Sequence, residues 1–180
     1  RPGAQMLWKG QSRSELPHLT DGLHAMMSTP IIIDDYLYGV DSYGELRGLD
    51  ATTGERLWQS DALTPQGRFG TAYFVRNGDR YFVTNDSGQL VIARFTPDGY
   101  QEIDRTPLLE PTLHTRGGAS GRWSDRTVLW AHPAFANGHV VARNDREVIR
   151  ASLVAADYTD DTTATPALTL ASDPAEDAQA

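Results

Sequence analysis

The stretch STPIIIDDYLYGVDSYGELRGLDATTGERLW, Ser28 to Trp58, decides how the rest of the chain is read. Ile31-Ile32-Ile33 are three β-branched residues in a row, and Pro30 precedes them where a missing N–H does least harm. Asp34-Asp35 turns the chain into Tyr36-Leu37-Tyr38-Gly39-Val40, a second strand. Asp41-Ser42-Tyr43-Gly44 turns it again, with Gly44 suited to a positive φ. Glu45 to Asp50 alternates polar and apolar residues, the period of a strand with one covered face. Thr52-Thr53-Gly54 leads to Glu55-Arg56-Leu57-Trp58, a fourth strand ending in a large ring. Four short strands with turns about every ten residues make an antiparallel meander.

A single meander cannot bury both of its faces, so the remaining sequence should hold copies of it. Gly70–Val75, Asp79–Val83 and Asp86–Ile92 repeat the pattern, and Gly88-Gln89-Leu90 falls 44 residues after Gly44-Glu45-Leu46. A third copy runs through His132–Phe135, His139–Ala142 and Arg146–Ile149. Met6-Leu7-Trp8-Lys9 resembles Arg56-Leu57-Trp58-Gln59, which predicts that the chain opens on the last strand of an earlier copy. A period in the forties with four strands per repeat is that of a β-propeller blade.

Gly48-x-Asp50-x-x-Thr53-Gly54-x-x-x-Trp58 resembles the tryptophan-docking motif of the pyrroloquinoline-quinone-type (PQQ-like) propeller repeat. The family has Ala where Gly48 stands. The resemblance implies that Trp58 stacks between blades, with Asp50, Thr53 and Gly54 forming the turn that holds it. It spans roughly residues 28–153, with the full motif in the first repeat alone. The second repeat has Phe95-Thr96-Pro97-Asp98-Gly99 at that place, followed by no tryptophan.

The expected architecture is all-β: a partial propeller of about three four-stranded antiparallel blades plus one leading strand. Its blades are expected over about 28–60, 69–108 and 128–154 within a domain of residues 1–155, with an insertion loop at 109–127. Closed propellers need at least about four blades, so the chain reads as the C-terminal part of a larger one. Residues 11–27 read as a connecting segment anchored by Leu16, Leu19, Leu23, Met26 and Met27 at helical spacing. Residues 156–180 are rich in Ala, Thr, Asp and Pro, with six acids and no basic side chain, and read as an acidic disordered tail or linker.

Composition narrows the chemistry. The net charge is −8, of which the tail supplies six negatives, so a nucleic-acid-binding face is not expected. No apolar run is long enough to span a bilayer. There is no cysteine, hence no disulfide, thiolate metal site or cysteine nucleophile. His132 and His139 lack a carboxylate at ligand spacing. Asp34-Asp35 and Asp160-Asp161 lie in a turn and in the tail, where nothing should shift their pKa.

The insertion breaks the repeat period and is the candidate binding loop. It carries His114, Arg116, Arg122, Trp123, Asp125 and Arg126 beside Gly117-Gly118 and Gly121. The glycines lack the lysine of a phosphate-binding loop, and Arg122 stands where a nucleophile elbow needs its second glycine.

Three functions remain open. The first is a non-catalytic interaction or scaffold propeller whose partner is another polypeptide or the missing blades of its own chain. Family resemblance alone implies a periplasmic or extracellular location for it. The second is a fragment of a quinoprotein oxidoreductase, whose family binds PQQ with calcium near the propeller axis. The ligand set and catalytic Asp of that family cannot be placed here. The third is a sugar- or peptide-binding module using Trp123 and the arginines.

Overall fold

The computed structural model describes residues 3–115 and 125–154. Its first sheet follows the four-strand reading: β1 (Ile31–Ile33), β2 (Tyr36–Val40), β3 (Leu46–Asp50) and β4 (Arg56–Ser60) pair in sequence order. The second sheet does the same with β5 (Ala72–Asn77), β6 (Arg80–Asn85), β7 (Gln89–Thr96) and β8 (Gly99–Pro107). The insertion holds a two-stranded hairpin, β9 (Leu113–Thr115) with β10 (Arg126–Val128). The third sheet is β11 (Ala134–Ala136), β12 (His139–Arg143) and β13 (Val148–Ser152), three strands among the described residues against the four expected. The sequence that would supply a fourth begins where the described residues end. The expected tail lies outside them too.

The all-β expectation holds, and the sheets pack face to face as in a partial β-propeller. Tyr38, Val40 and Leu46 of the first sheet share one core with Tyr81, Val83, Val91 and Phe95 of the second. Phe95 lies at its centre, with the rings of Tyr38, Phe74, Tyr81 and Tyr100 between 5.5 and 5.8 Å away. Phe82 and Phe135 stack 5.6 Å apart between the second and third sheets.

The outer strands share one irregularity. The register of β3 and β4 shifts between Gly48 and Leu49, leaving Leu57 without a partner. The β7–β8 register shifts between Ile92 and Ala93, 44 residues on, and leaves out Ile103. One extra residue in one strand reverses the faces beyond it. The shift therefore puts Arg56, opposite Leu49, on the side of the sheet that carries Arg47. Leu57 and Ile103 are left 41% and 40% exposed on the outer rim.

Two expectations need correcting. Met6–Lys9 forms no strand, although Trp8 is held: its Nε1 donates to Ala51 O at 2.8 Å. Residues 11–27 connect through a single 3-10 turn (Pro17–Leu19), but the expected apolar anchoring is confined to one side chain. Leu23 alone of the five is buried, while Leu19 and Met26 are more than half exposed.

Tyr38 supplies a pH prediction. It is 1% exposed, and burial, with Tyr36, Asp34, Asp98 and Tyr81 nearby, pushes its hydroxyl up from 10.0 to about 12. The unfolded chain therefore releases this proton first, and the stabilisation present below pH 10 is lost as pH rises toward 12. Two units correspond to roughly 3 kcal/mol. Urea unfolding between pH 9 and 12 should show a fall in stability that is shallower by about that amount in Tyr38→Phe. An unchanged slope in that variant would mean Tyr38 ionises normally.

Candidate functional site

One recurring turn builds one end of the molecule. Asp41 follows β2, and its Oδ1 accepts from the N–H groups of Tyr43 and Glu45 at 2.8 and 2.9 Å. Asn85 ends β6 and accepts from Ser87 N and Gln89 N, both at 3.1 Å. Asn144 follows β12 and accepts from Arg146 and Glu147, both at 2.8 Å. A short side-chain acceptor that holds its own turn explains why Asp or Asn stands at each place. Gly88 completes the second turn at φ +72°, where a side chain would also overlap Leu109 O.

The segments between blades fold onto these turns. Phe69 N donates to Ser42 O at 2.6 Å and Leu129 N to Asp86 O at 2.8 Å. Asn85 Nδ2 donates to Leu63 O at 2.9 Å, and Asn144 Nδ2 to Glu110 O at 3.0 Å, so each amide fastens the incoming segment. Asp41 has no N–H to offer. Its Oδ2 instead pairs with Arg47 at 2.9 Å, and Arg47 makes the ties, to Gly22 O at 2.7 Å, Pro17 O at 3.1 Å and Thr20 Oγ1 at 2.6 Å. Arg47 Nε also donates to Glu45 Oε1 at 2.8 Å. Arg47 and Asp41 are both 0% exposed. Burial raises the Asp41 carboxyl above its ordinary range, against the pull of Arg47. The residue at the place of Arg47 in the second sheet is Val91, fully buried and apolar. Nothing in the alternating pattern of 45–50 separated a buried Arg47 from a solvated one. An arginine between two leucines, close after an Asp turn, is the signal that could have found it.

The candidate loop residues separate. Arg116, Arg122 and Trp123 lie outside the described residues. His114 and Asp125 pair with each other at 3.0 Å on the exposed hairpin. Arg126 turns inward: its Nη2 donates to Asp86 Oδ2 at 2.8 Å and to Arg68 O at 3.3 Å. Asp86 also accepts from Thr71 N at 3.1 Å, and its burial raises its pKa against the effect of Arg126. Arg68 in turn pairs with Glu15 at 3.0 Å. The charged side chains of this end thus fasten the segments between blades.

Between the 3-10 turn and the first sheet lies a cleft of about 490 Å³, lined by Pro17, His18, Tyr43, Glu45, Arg56 and Gln66 among others. Arg56 donates to Gln59 Oε1 at 2.7 Å and to Thr20 O, and comes within 3.7 Å of Glu45. Burial lowers its pKa, as does Arg47 nearby. Among the described residues, no three His, Asp or Glu side chains gather in a way that would hold a metal ion. His132 lies against Tyr73, ring centres 4.3 Å apart, while His139 contacts Arg150.

Trp58 lies on the other side of the first sheet, toward the second. Trp58 stacks on Tyr38 at 5.8 Å, lies against Gly48, and reaches the second sheet through Nε1 to Thr96 O at 2.9 Å. A methyl group at Gly48 would overlap the indole, so the Ala of the family pattern does not fit here without a shift. Asp50 Oδ1 accepts from the N–H groups of Thr52 and Thr53 at 2.8 and 2.9 Å. Thr53 Oγ1 accepts from Glu55 N at 3.2 Å. Gly54, at φ +78°, lies under the ring of Trp8, the residue from the preceding segment.

Repeated four-strand sheets, turn acceptors and a tryptophan crossing between sheets define a PQQ-like β-propeller repeat protein. The chain belongs to the family described as outer membrane protein assembly factor BamB, whose model matches residues 42–174. Among solved structures it is similar to BamB from Moraxella catarrhalis, with 12% identity and a TM-score of 0.45 over 69% of this chain and 32% of that one. It is similar to quinohemoprotein alcohol dehydrogenase from Comamonas testosteroni, with 16% identity and a TM-score of 0.42 over 68% of this chain and 17% of that one. A third is the computationally designed protein Ika8, with 14% identity and a TM-score of 0.40 over 71% of this chain and 33% of that one. The chain thus spans about a third or less of the length of these proteins. A search of curated proteins found no match. No helix among the described residues is long and apolar enough to cross a membrane.

Proposed function

We propose that the chain is a non-catalytic scaffold module, part of a larger propeller located in the periplasm or outside the cell, whose turn-bearing end contacts another polypeptide. Membership of the BamB family over residues 42–174 carries this reading. The site chemistry agrees with it. Asp41, Arg47, Asp86 and Arg126 are engaged in fastening the chain to itself, which leaves none of them free as an acid, base or nucleophile. The cleft beside them mixes amide, imidazole, carboxylate and guanidinium groups with apolar walls, a lining suited to a peptide backbone and its side chains.

A photo-crosslinking residue at Gln66, on the cleft, is expected to give discrete polypeptide adducts in cells. The same group at Ile103, on the outer rim, should give none. Adducts at neither position, or equally at both, would defeat the reading. Saturable binding of PQQ in the presence of calcium, followed by absorbance, would replace it with the quinoprotein alternative.

A further inference from the structure

The segment between the first and second sheets supplies Gln66 to the wall of the cleft. Its backbone is strained just beyond that point. Phe69 holds φ at +63°, a left-handed conformation that a bulky side chain disfavours. Contacts from two directions keep it there. From the first sheet, Tyr43 O accepts from Gly67 N at 2.8 Å and Ser42 O accepts from Phe69 N at 2.6 Å. Gly70 approaches Gly44 so closely that a side chain at 70 would overlap the Gly44 backbone. From the insertion, Arg126 lies along Gly67 and donates to Arg68 O at 3.3 Å, and the ring of Trp130 meets Phe69 edge-on at 6.1 Å.

Arg126 accounts for the glycine at 67. The φ of Gly67 is not positive, so its conformation does not call for glycine. A methyl group there would instead come 2.5 Å from Arg126 Nε, and the three nearest atoms all belong to Arg126. Arg126 is anchored on Asp86 at 2.8 Å, in a pair that is incompletely satisfied. Asp86 Oδ1 and Arg126 Nε are both buried without a hydrogen-bond partner among the described residues. A buried pair with orphaned atoms contributes little net free energy, which makes it a releasable latch.

We propose that Arg126 is a positioning residue for the cleft: from the insertion hairpin it latches the strained segment 66–70, and so sets where Gln66 stands for a polypeptide occupant. This role presupposes the polypeptide contact proposed above. The Gly70 end of the segment is fixed on Gly44, whereas Gln66 is exposed and follows Gly67. Release of Arg126 lets Phe69 leave its disfavoured conformation and moves Gln66 with it. The other charged tie of the segment, Arg68 to Glu15 at 3.0 Å, is about a third exposed and too weak to hold it alone.

Amide hydrogen exchange of the full-length chain, followed by NMR, tests the latch. Gly67→Ala, which expels Arg126, should speed exchange at positions 67 and 69 by about tenfold and leave Tyr38 and Val83 unchanged. Arg126→Ala with Asp86→Asn removes the latch without stranding a buried carboxylate, and should do the same. Gly67→Ala added to that pair should change nothing more, because the methyl group then meets no arginine. Unchanged exchange in either variant would overturn the proposal, as would a further large rise in the triple variant. The photo-crosslinking residue at Gln66 separates the role of Arg126 from the contact itself. Adducts that fall several-fold on adding Arg126→Ala and Asp86→Asn support both. Adducts at full yield in that variant overturn the role of Arg126 and keep the polypeptide contact. Faster exchange with no adducts even in the parent removes the contact, and leaves Arg126 as a latch of the fold with no cleft to position.

Discussion

Trp58→Ala is expected to destabilise the protein by about 3 kcal/mol, the low end of the range for aromatic truncations because the indole is only half-buried. The substitution removes the stack on Tyr38, the hydrogen bond to Thr96 O and the surface that covers Gly48. Tyr38 in turn touches Phe95, so the loss propagates into the core shared by the first two sheets. Urea denaturation followed by circular dichroism would read the change as a lower midpoint. Gly48→Ala approaches the same contact from the other side. It keeps the indole and forces it away from the sheet, at a cost of about 1–3 kcal/mol. The two effects should not add, because each disturbs one contact. A Trp58→Ala protein that melts like the parent would remove Trp58 from its place between the sheets.

Arg47→Met is expected to cost about 3–5 kcal/mol, because it keeps the volume but leaves Asp41 and Glu45 buried without their principal cation. Three ties to the 17–22 segment go with it. The second sheet shows a different solution to the same problem. There Asn85 fastens the incoming segment through its amide, and Val91 occupies the place of Arg47. Asp41→Asn added to Arg47→Met should therefore recover part of the loss, about 1–3 kcal/mol, by removing an uncompensated buried charge. The measurement is a double-mutant cycle in urea. A double variant no more stable than Arg47→Met would mean that Arg47 serves the 17–22 segment independently of Asp41.

These two residues mark the limit of what alternation reveals. Trp58 was singled out through the resemblance of Gly48-x-Asp50-x-x-Thr53-Gly54-x-x-x-Trp58 to a family repeat motif, and not through alternation. Arg47 was missed, because alternation separates two faces and is silent on whether anything covers the polar one. In this fold both faces of the first sheet are covered, one by the second sheet and the other by residues 8–22. Glu45 and Arg47, placed by their period on a polar face, are therefore buried together. Arg126 shows the same effect in the insertion. Three arginines in a glycine-rich stretch suggest a ligand surface, yet Arg126 finds its partner in Asp86, 40 residues away.

The sequence by itself determined the strands of the first sheet, their order and the turns that join them, but not the β9–β10 hairpin or the absence of a strand at Met6–Lys9. Each of those strands and turns depends on residues within a few positions of one another: β-branched runs, short acceptors at turn starts, glycines where φ is positive. Tertiary structure alone decided which charges are buried, which way Arg56 points beyond the bulge at Leu57, and which segment each turn fastens. Those outcomes depend on which distant backbone carbonyl or carboxylate arrives within about 3 Å, the reach of a hydrogen bond. Only the packing of one sheet on the next brings those groups together.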